Sequence, residues 1–271
     1  MPARDRRIEI FGAVVLVLVL AAIASIASNE NFRWTVVGDF MFHSSILTGI
    51  RNTLLLTAIS MIVGSLIGAV IALMKISQSR ALNAIAEGYV WLFRGIPLLV
   101  QLLIWFNLAA LYPRLGIGIP GSEIGFFVNA NEIISPFSAA ILALTLHESA
   151  LMAEVIRSGL LSVNRGQTEA AQALAMPPRK VMIRIVLPQA MRVIVPPTGN
   201  QAITMLKTTS LVSFIALNDL TYSAQIIYSQ NYQVIPLLMV ASIWYLVMVT
   251  ILSYVQNRVE WFYGKGYANS K

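Results

Sequence analysis

Residues Glu169–Pro188 read EAAQALAMPPRKVMIRIVLP, a polar stretch that lies between two long apolar segments. Ionised side chains are costly in hydrocarbon, so this stretch is expected to lie outside the membrane. The side chains that would each be costly in hydrocarbon are Arg165, just before it, and Glu169, Gln172, Arg179, Lys180 and Arg184 within it. We call residues 162–190, which contain this stretch, the knuckle.

The knuckle is predicted to fold as two short helices joined by a turn. Thr168 is a candidate N-cap, and Glu169 then lies in the first turn, where a carboxylate suits the positive helix end. The pair Pro177-Pro178 ends this helix, because proline lacks an N–H donor and disfavours the α conformation of the residue before it. A second, basic helix follows over 179–187 and is expected to end at Pro188.

The composition is that of a membrane protein. Hydrophobic residues make up 57% of the chain and charged residues 11%, and the mean hydropathy is +0.73. The apolar runs indicate helices, since only helices and closed barrels satisfy the backbone in lipid and the runs are too long for barrel strands. The chain has no cysteine, and His43 and His147 have no partner at metal-ligand spacing. No metal site is predicted.

Six apolar segments predict an all-α, polytopic membrane helix bundle. They span residues 10–29, 46–74, 84–111, 133–161, 194–217 and 234–255. The first segment also resembles a signal peptide, with a small-residue site at Ala22-Ile23-Ala24, but its length favours an uncleaved helix. Residues 113–132, rich in Gly and Pro, are expected to form an external loop. Gly64 and Gly68 lie four apart and predict close helix packing.

The positive charges predict the orientation of the bundle. With both termini and the knuckle in the cytoplasm, 14 of the 19 Lys and Arg residues lie inside. The net charge of +7 is thereby explained by membrane orientation, and no nucleic-acid partner is predicted. We divide the chain into an N-terminal helix with its external connector (1–45), a membrane core that includes the knuckle (46–260), and a cytoplasmic tail (261–271).

The chain is not expected to hydrolyse ATP. It contains no G-x-x-x-x-G-K-[ST] motif, and Gly264-Lys265 is followed by Gly266 in a tail too short for a nucleotide domain. No segment has the context of a hydrolase nucleophile. A pump built on this chain would therefore need a partner for its energy.

The knuckle resembles the EAA loop of importer-type ABC transporter permeases. The family pattern is E-A-A, three residues, G, nine residues, then I-x-L-P, and Glu169, Ala170, Ala171, Ile185, Leu187 and Pro188 all match it. Ala175 stands where the family has Gly, which leaves the turn geometry open. An ordinary amphipathic cytoplasmic loop is the alternative. The resemblance implies that Glu169, Ala170, Ala171 and Ala175 couple the chain to an ATPase.

Further segments are similar to permeases for polar amino acids. They are Arg94-Gly-Ile-Pro-Leu-Leu-Val-Gln101, which resembles R-G-T-P-L-x-x-Q, Leu187-Pro-Gln-Ala190, and Lys207-Thr-Thr-Ser-Leu211. The resemblance implies a five-helix type I permease core plus an N-terminal helix in a bacterial cytoplasmic (inner) membrane. It also implies a second permease, identical or paralogous, two ATPase subunits that bind ATP-Mg, and an external amino-acid-binding protein. No cofactor is expected in this chain.

Several ionisable residues fall within the apolar segments and are candidate site residues. His147 and Glu154 are seven apart and share a helix face, whereas Glu148 is turned about a quarter-turn away. We predict a polar pocket near mid-membrane in which Glu154 receives the ammonium group of an amino acid, with His147 and Glu148 beside it. In the resembled family a carboxylate after Ala on this helix approaches the substrate. Arg94 and Lys207 are interpreted as gate or structural charges.

Alternatives to this pocket stay open at the level of the sequence. Arg94, Lys207, Glu148 and Glu154 could neutralise one another and hold helices together, or Glu154 could pair with Arg157 one turn later. Two acidic groups favour a cationic amino acid, although the external binding protein could set the specificity. An ion-gradient-driven secondary transporter would also carry intramembrane charges, but it would need no knuckle and often shows inverted repeats, which we do not find. A membrane scaffold would need neither feature.

Overall fold

The computed structural model describes residues 6–118 and 125–264, and most of them are helical. Five helices among these residues are long and apolar enough to cross a membrane, and the number is six when one bent pair of helices is counted as a single span. The spans are Phe11–Ser28, Ser44–Lys75, the pair Arg80–Gly95 and Leu98–Phe106, Pro136–Leu161, Pro178–Ile215 and Val234–Tyr263. The predicted all-α bundle of about six spans is therefore confirmed.

The first two helices and their connector lie at one edge of the bundle. Helix α1 (Arg6–Ser28) has none of its apolar window buried. A 3-10 turn at Glu30–Phe32 and helix α2 (Trp34–Phe40) follow, where the sequence predicted a connector. Val37 of α2 is buried in a hydrophobic cluster with residues from the C-terminal part of the chain, which anchors the connector to the bundle.

The third predicted span is broken. Helix α3 (Ser44–Lys75) is continuous, but the next span divides into α4 (Arg80–Gly95) and α5 (Leu98–Phe106), bent by 98°. Ile96 is extended between them, as expected for a residue before proline, and a short helix, α6 (Leu108–Leu111), follows α5. The span predicted over 84–111 is therefore bent, because Pro97 ends its first half. We call residues 93–97 the elbow.

The predicted external loop contains secondary structure that the sequence analysis did not anticipate. Strands β1 (Arg114–Gly118) and β2 (Gly125–Asn129) pair antiparallel, and helix α7 (Ala130–Ile133) follows them. The tip of this hairpin lies outside the described residues. The hairpin marks one end of the bundle, opposite the end that carries the knuckle.

Helix α8 (Pro136–Leu161) is the central helix of the bundle and packs most extensively on α3. A Cβ atom on Gly64 would lie 3.0 Å from the Cβ of Glu148, and one on Gly68 would lie 2.8 Å from the Cβ of Met152. The predicted close packing at these glycines is confirmed. Because residue numbers rise together along both helices, α3 and α8 run parallel and end on the knuckle side.

The first helix of the knuckle, α9 (Arg165–Ala173), begins and ends at other residues than predicted. Its N-cap is Asn164, whose side chain accepts a hydrogen bond from the Gly166 amide, so Thr168 is not the cap. Ala175 has a left-handed φ of 53°, and the amides of Ala175 and Met176 donate back to the last carbonyls of the helix at 2.8 and 3.1 Å. This left-handed C-cap ends α9 before the prolines are reached.

The second part of the knuckle runs directly into the next span. Helix α10 (Pro178–Val181), a π-helical turn (Met182–Val186) and α11 (Leu187–Thr208) follow one another without a break. The prediction that this part ends at Pro188 was wrong. Pro188 lies in the first turn of α11, and the wider π turn before it accommodates the missing donor.

The C-terminal part closes the bundle around an element that the sequence analysis missed. A 3-10 segment (Thr209–Ile215) leads to helix α12 (Leu220–Asn231) and then to α13 (Val234–Gly264), which crosses the predicted boundary at residue 260. Asp219 caps α12 by accepting hydrogen bonds from two of its amides, and burial raises the pKa of the Asp219 carboxyl to about 6. The predicted tail beyond Gly264 lies outside the described residues.

Candidate functional site

The candidate polar face lies along one side of α8. His147 and Glu154 are both half-buried, and Leu151 lies between them on the same side of the helix. The predicted shared face of His147 and Glu154 is confirmed. We call the line through these three residues the polar face of α8.

Glu154 lies in a three-residue ion cluster near the knuckle end. Its Oε1 atom is 2.5 Å from the Lys75 Nζ, and its Oε2 atom is 2.9 Å from the Arg157 Nη2. The intrahelical pair with Arg157 is thus present, and Lys75, the last residue of α3, was not anticipated. Lys75 is the last residue of the span Ser44–Lys75, so Glu154 lies towards the knuckle end of the bundle, and its position near mid-membrane stays a prediction.

Glu148 points away from the polar face and into the contact with α3. Its side chain is 1% exposed, and its Oε1 atom has no hydrogen-bond partner within 6–118 and 125–264. No ion pair among those residues joins Arg94 or Lys207 to Glu148 or Glu154. The alternative in which these four residues neutralise one another is therefore wrong.

The elbow lies beside His147. The Nδ1 atom of His147 is 3.0 Å from the carbonyl oxygen of Phe93. The Nε2 atom of Gln101 donates to the carbonyls of Phe93 and Ile96 at 2.9 and 2.8 Å. Gln101 was not among the predicted site residues, although it is the last residue of the R-G-I-P-L-L-V-Q segment.

Arg94 and Lys207 are each exposed in the last turn of a helix, α4 and α11 respectively. A cation at this position interacts favourably with the negative end of the helix. Neither side chain forms an ion pair with any residue that the structure describes. Their assignment as gate or structural charges stays a prediction.

The knuckle presents a small exposed surface. Glu169, Ala170 and Ala175 are exposed, and so is Leu174, at 78%. Ala171 differs, because it is 2% exposed and packs inside the knuckle in a cluster with Val181 and Val186 from its second part. Ala171 is therefore not part of the exposed surface, its role in coupling stays a prediction, and the exposed Leu174 was not among the predicted coupling residues.

An apolar cavity of about 510 Å³ lies elsewhere, between α3, α8, α11 and α13. Its wall is formed mainly by aliphatic and methionine side chains, with Gln256 and Glu260 at one end. His147 and Glu154 do not line it. Within the described part of the chain, no group of three or more acidic, His or Cys side chains is placed to hold a metal ion.

A bundle of this kind, with a polar face on its central helix and a two-part knuckle, can be compared with known proteins. The family described as "Binding-protein-dependent transport system inner membrane component" matches residues 61–260. The chain belongs to this family. It is a permease, in a family where ATP is hydrolysed by a separate subunit and the permease carries no cofactor of its own. The predictions of a transport subunit and of ABC permease ancestry are confirmed.

Several relatives resemble the permease over most of its length. The arginine transport system permease protein ArgU of Corynebacterium glutamicum is 39% identical over 267 residues, covering 98% of this chain and 83% of the relative. The nopaline transport system permease protein NocM of Agrobacterium fabrum is 36% identical, covering 80% of this chain and 87% of the relative. None of the comparisons supports the secondary-transporter alternative.

Solved structures agree with the fold. A crystal structure of an amino acid ABC transporter with histidines matches with a TM-score of 0.67 and 36% identity, over 80% of this chain and 92% of that chain. The methionine ABC transporter MetNI in an inward-facing conformation matches with a TM-score of 0.63 at 19% identity, over 82% of this chain and 97% of that chain, which is a likeness of fold alone.

Proposed function

We propose that this permease moves a polar amino acid, and specifically a cationic one, from an external binding protein into the cytoplasm. The observation that carries the proposal is the 39% identity, over nearly the whole chain, to an arginine transport permease. A second arginine transport permease, ArtQ of Bacillus subtilis, is 36% identical over 79% of the chain. ATP-Mg bound to two partner ATPase subunits supplies the energy.

The substrate site is proposed along the polar face of α8. Glu154 receives the cationic group of the amino acid, His147 contacts the substrate further from the knuckle, and Glu148 contributes once α3 and α8 separate. In the described conformation the carboxylate of Glu154 is already bound by Lys75 and Arg157. A substrate cation therefore has to displace Lys75, which makes this pair a competitor of the substrate.

This competition distinguishes a substrate contact from a purely structural ion pair. The assay is uptake of radiolabelled L-arginine into proteoliposomes that contain the whole transporter and its binding protein. Glu154→Gln should raise the KM about 10- to 100-fold, the equivalent of one charge-assisted hydrogen bond. Lys75→Gln, which leaves Arg157 as the only cation on the carboxylate among the described residues, should leave the KM unchanged or lower it. If both variants change uptake equally with no change in KM, Glu154 serves only to pair with Lys75.

The knuckle is proposed as the lever that couples ATP hydrolysis to transport by alternating access. It docks on an ATPase subunit through Glu169, Ala170, Leu174 and Ala175, which are exposed, while Ala171 keeps its two parts together. Glu169→Lys should leave ATP hydrolysis but abolish its coupling to uptake. Gln167→Lys, on the same exposed helix, is the control for added positive charge, and equal coupling in both variants would remove Glu169 from the docking surface.

The assembly is proposed to contain two permeases, identical or paralogous, in the bacterial cytoplasmic membrane. Purification in mild detergent, with the stoichiometry of every subunit measured, tests this composition. Recovery of the permease alone, with full uptake in vesicles that lack ATP, would contradict it.

The orientation is proposed to have both termini and the knuckle in the cytoplasm. Because the chain has no cysteine, single cysteines can be labelled without background. A membrane-impermeant maleimide added outside should label Phe126→Cys, on the exposed hairpin, and should not label Leu174→Cys on the knuckle. The reverse pattern would invert the orientation.

A further inference from the structure

The elbow between α4 and α5 leaves backbone groups without helical partners. In a continuous helix the Phe93 carbonyl would accept a hydrogen bond from the amide four residues later, but that residue is Pro97, which has no N–H. Ile96 is extended, so its carbonyl is also outside the helical pattern. An unpaired carbonyl in a water-poor environment is costly, so the stability of the elbow depends on what satisfies these two oxygens.

Two side chains satisfy them. Gln101 reaches back from α5 and donates through Nε2 to Phe93 and Ile96 at 2.9 and 2.8 Å, which uses both of its amide hydrogens. His147 on α8 approaches the same Phe93 carbonyl at 3.0 Å. A carbonyl oxygen has two lone pairs, and here both are used.

The chemistry of these partners determines which ring nitrogen of His147 carries a proton. The Phe93 carbonyl can only accept, so Nδ1 must be the protonated nitrogen and the donor. The Gln101 Nε2 lies 3.4 Å from this Nδ1 because both nitrogens donate to the same oxygen, the Phe93 carbonyl. In the neutral ring, Nε2 remains free to accept a hydrogen bond.

We propose that Gln101 and His147 are positioning residues that clamp the elbow to α8. Arg94 lies next to Phe93 in the elbow and is exposed, so the clamp also sets where this cation stands relative to the polar face. Helix α8 ends at Leu161 and continues directly into the knuckle, whose first residues, Ser162–Asn164, lead to α9. A displacement of the knuckle is therefore transmitted through α8 and the clamp to Arg94. This inference rests on the proposed function in one respect, which is that the polar face of α8 lines the substrate path.

Two substitutions of His147 separate this role from general stability. Asparagine places its amide nitrogen where Nδ1 stands, whereas glutamine places it near Nε2, so His147→Asn keeps the bond to Phe93 and His147→Gln loses it. Loss of one net hydrogen bond shifts the population of the bent elbow by about 2- to 10-fold. Both variants remove the imidazole and any contact it makes with the substrate, so they are compared with each other. His147→Gln should take up L-arginine about 2- to 10-fold more slowly than His147→Asn, which keeps the bond to Phe93.

A second measurement reports the bend between α4 and α5 directly and needs no transport assay. Spin labels at Trp91→Cys on α4 and Ile104→Cys on α5, both exposed positions, report the bend by pulsed electron spin resonance in nanodiscs. The labels are placed in one permease copy of a transporter whose other subunits lack cysteine. Gln101→Met, which removes two bonds, and His147→Gln should broaden the distance distribution, and His147→Asn should not.

The outcomes separate the two proposals. If the parent protein does not transport L-arginine but the spin-label distances follow the expected order, the proposed substrate is wrong and the clamp stands. If Gln101→Met does not fold, the comparison of His147→Asn with His147→Gln decides alone. Identical distances in the parent, Gln101→Met and His147→Gln would overturn the clamp.

Discussion

Ala175 is the residue at which this permease departs from the EAA pattern, and the structure turns that departure into a quantitative prediction. Ala175 has a φ of 53°, a left-handed conformation that costs an L-residue about 1–2 kcal/mol. Glycine adopts it freely but loses about 0.4–1 kcal/mol through the greater entropy of the unfolded chain. Ala175→Gly should therefore stabilise the left-handed C-cap of α9 by about 0.5–1 kcal/mol.

Hydrogen exchange measured by mass spectrometry on the assembled transporter reads this change locally. The amide of Met176, which donates to the Ala171 carbonyl at 3.1 Å, should exchange about two- to fivefold more slowly in Ala175→Gly. Ala173→Gly is the matched control, because Ala173 is exposed and helical, and glycine there should weaken α9 by about 1 kcal/mol and accelerate exchange. Exchange that changes in the same direction in both variants would refute the conformational argument.

Three further predictions concern packing and charge. Gly49→Ala should destabilise the protein by about 1–3 kcal/mol, because the new methyl group would lie 2.8 Å from the Cα of a residue in α12. Gly88→Ala is the control, because a methyl group there would have nothing within 4 Å, and it should not destabilise the protein. Thermal unfolding in detergent compares the two variants. In the same assay Glu154→Gln should lower the unfolding midpoint, because it leaves Lys75 and Arg157 without their carboxylate. Glu148→Gln should change stability by less than about 1 kcal/mol, since the Glu148 carboxyl has no charged partner among the described residues. A larger loss of stability in Glu148→Gln would show that such a partner exists. Burial raises the pKa of Asp219 to about 6 from an ordinary 3.8, so the stability that the protonated carboxyl contributes is fully present below pH 3.8 and is lost as the pH rises through 6. Asp219→Asn, which keeps the cap, should therefore be more stable than the parent above pH 6 and equally stable below pH 3.8. Parallel profiles of stability against pH would contradict this.

Much of this protein follows from the sequence alone, because the information is local. Apolar runs of sufficient length predict spans wherever they occur, since the bilayer imposes the same requirement on each of them. The fixed spacings in the knuckle led to the family, which the match over residues 61–260 confirms. The face shared by His147 and Glu154 follows from helical periodicity. Even the anomaly at Ala175 was visible as a single departure from a pattern.

Only the tertiary structure determined which residues these side chains contact. Lys75 pairs with Glu154 although 79 positions separate them, and His147 reaches the Phe93 carbonyl across 54 positions. Such pairs depend on which helices are neighbours and at what register, and this is set by the packing of α8 on α3 and the elbow. The burial of Ala171 inside the knuckle has the same origin. Periodicity tells which way a side chain faces, but only packing determines what it meets there.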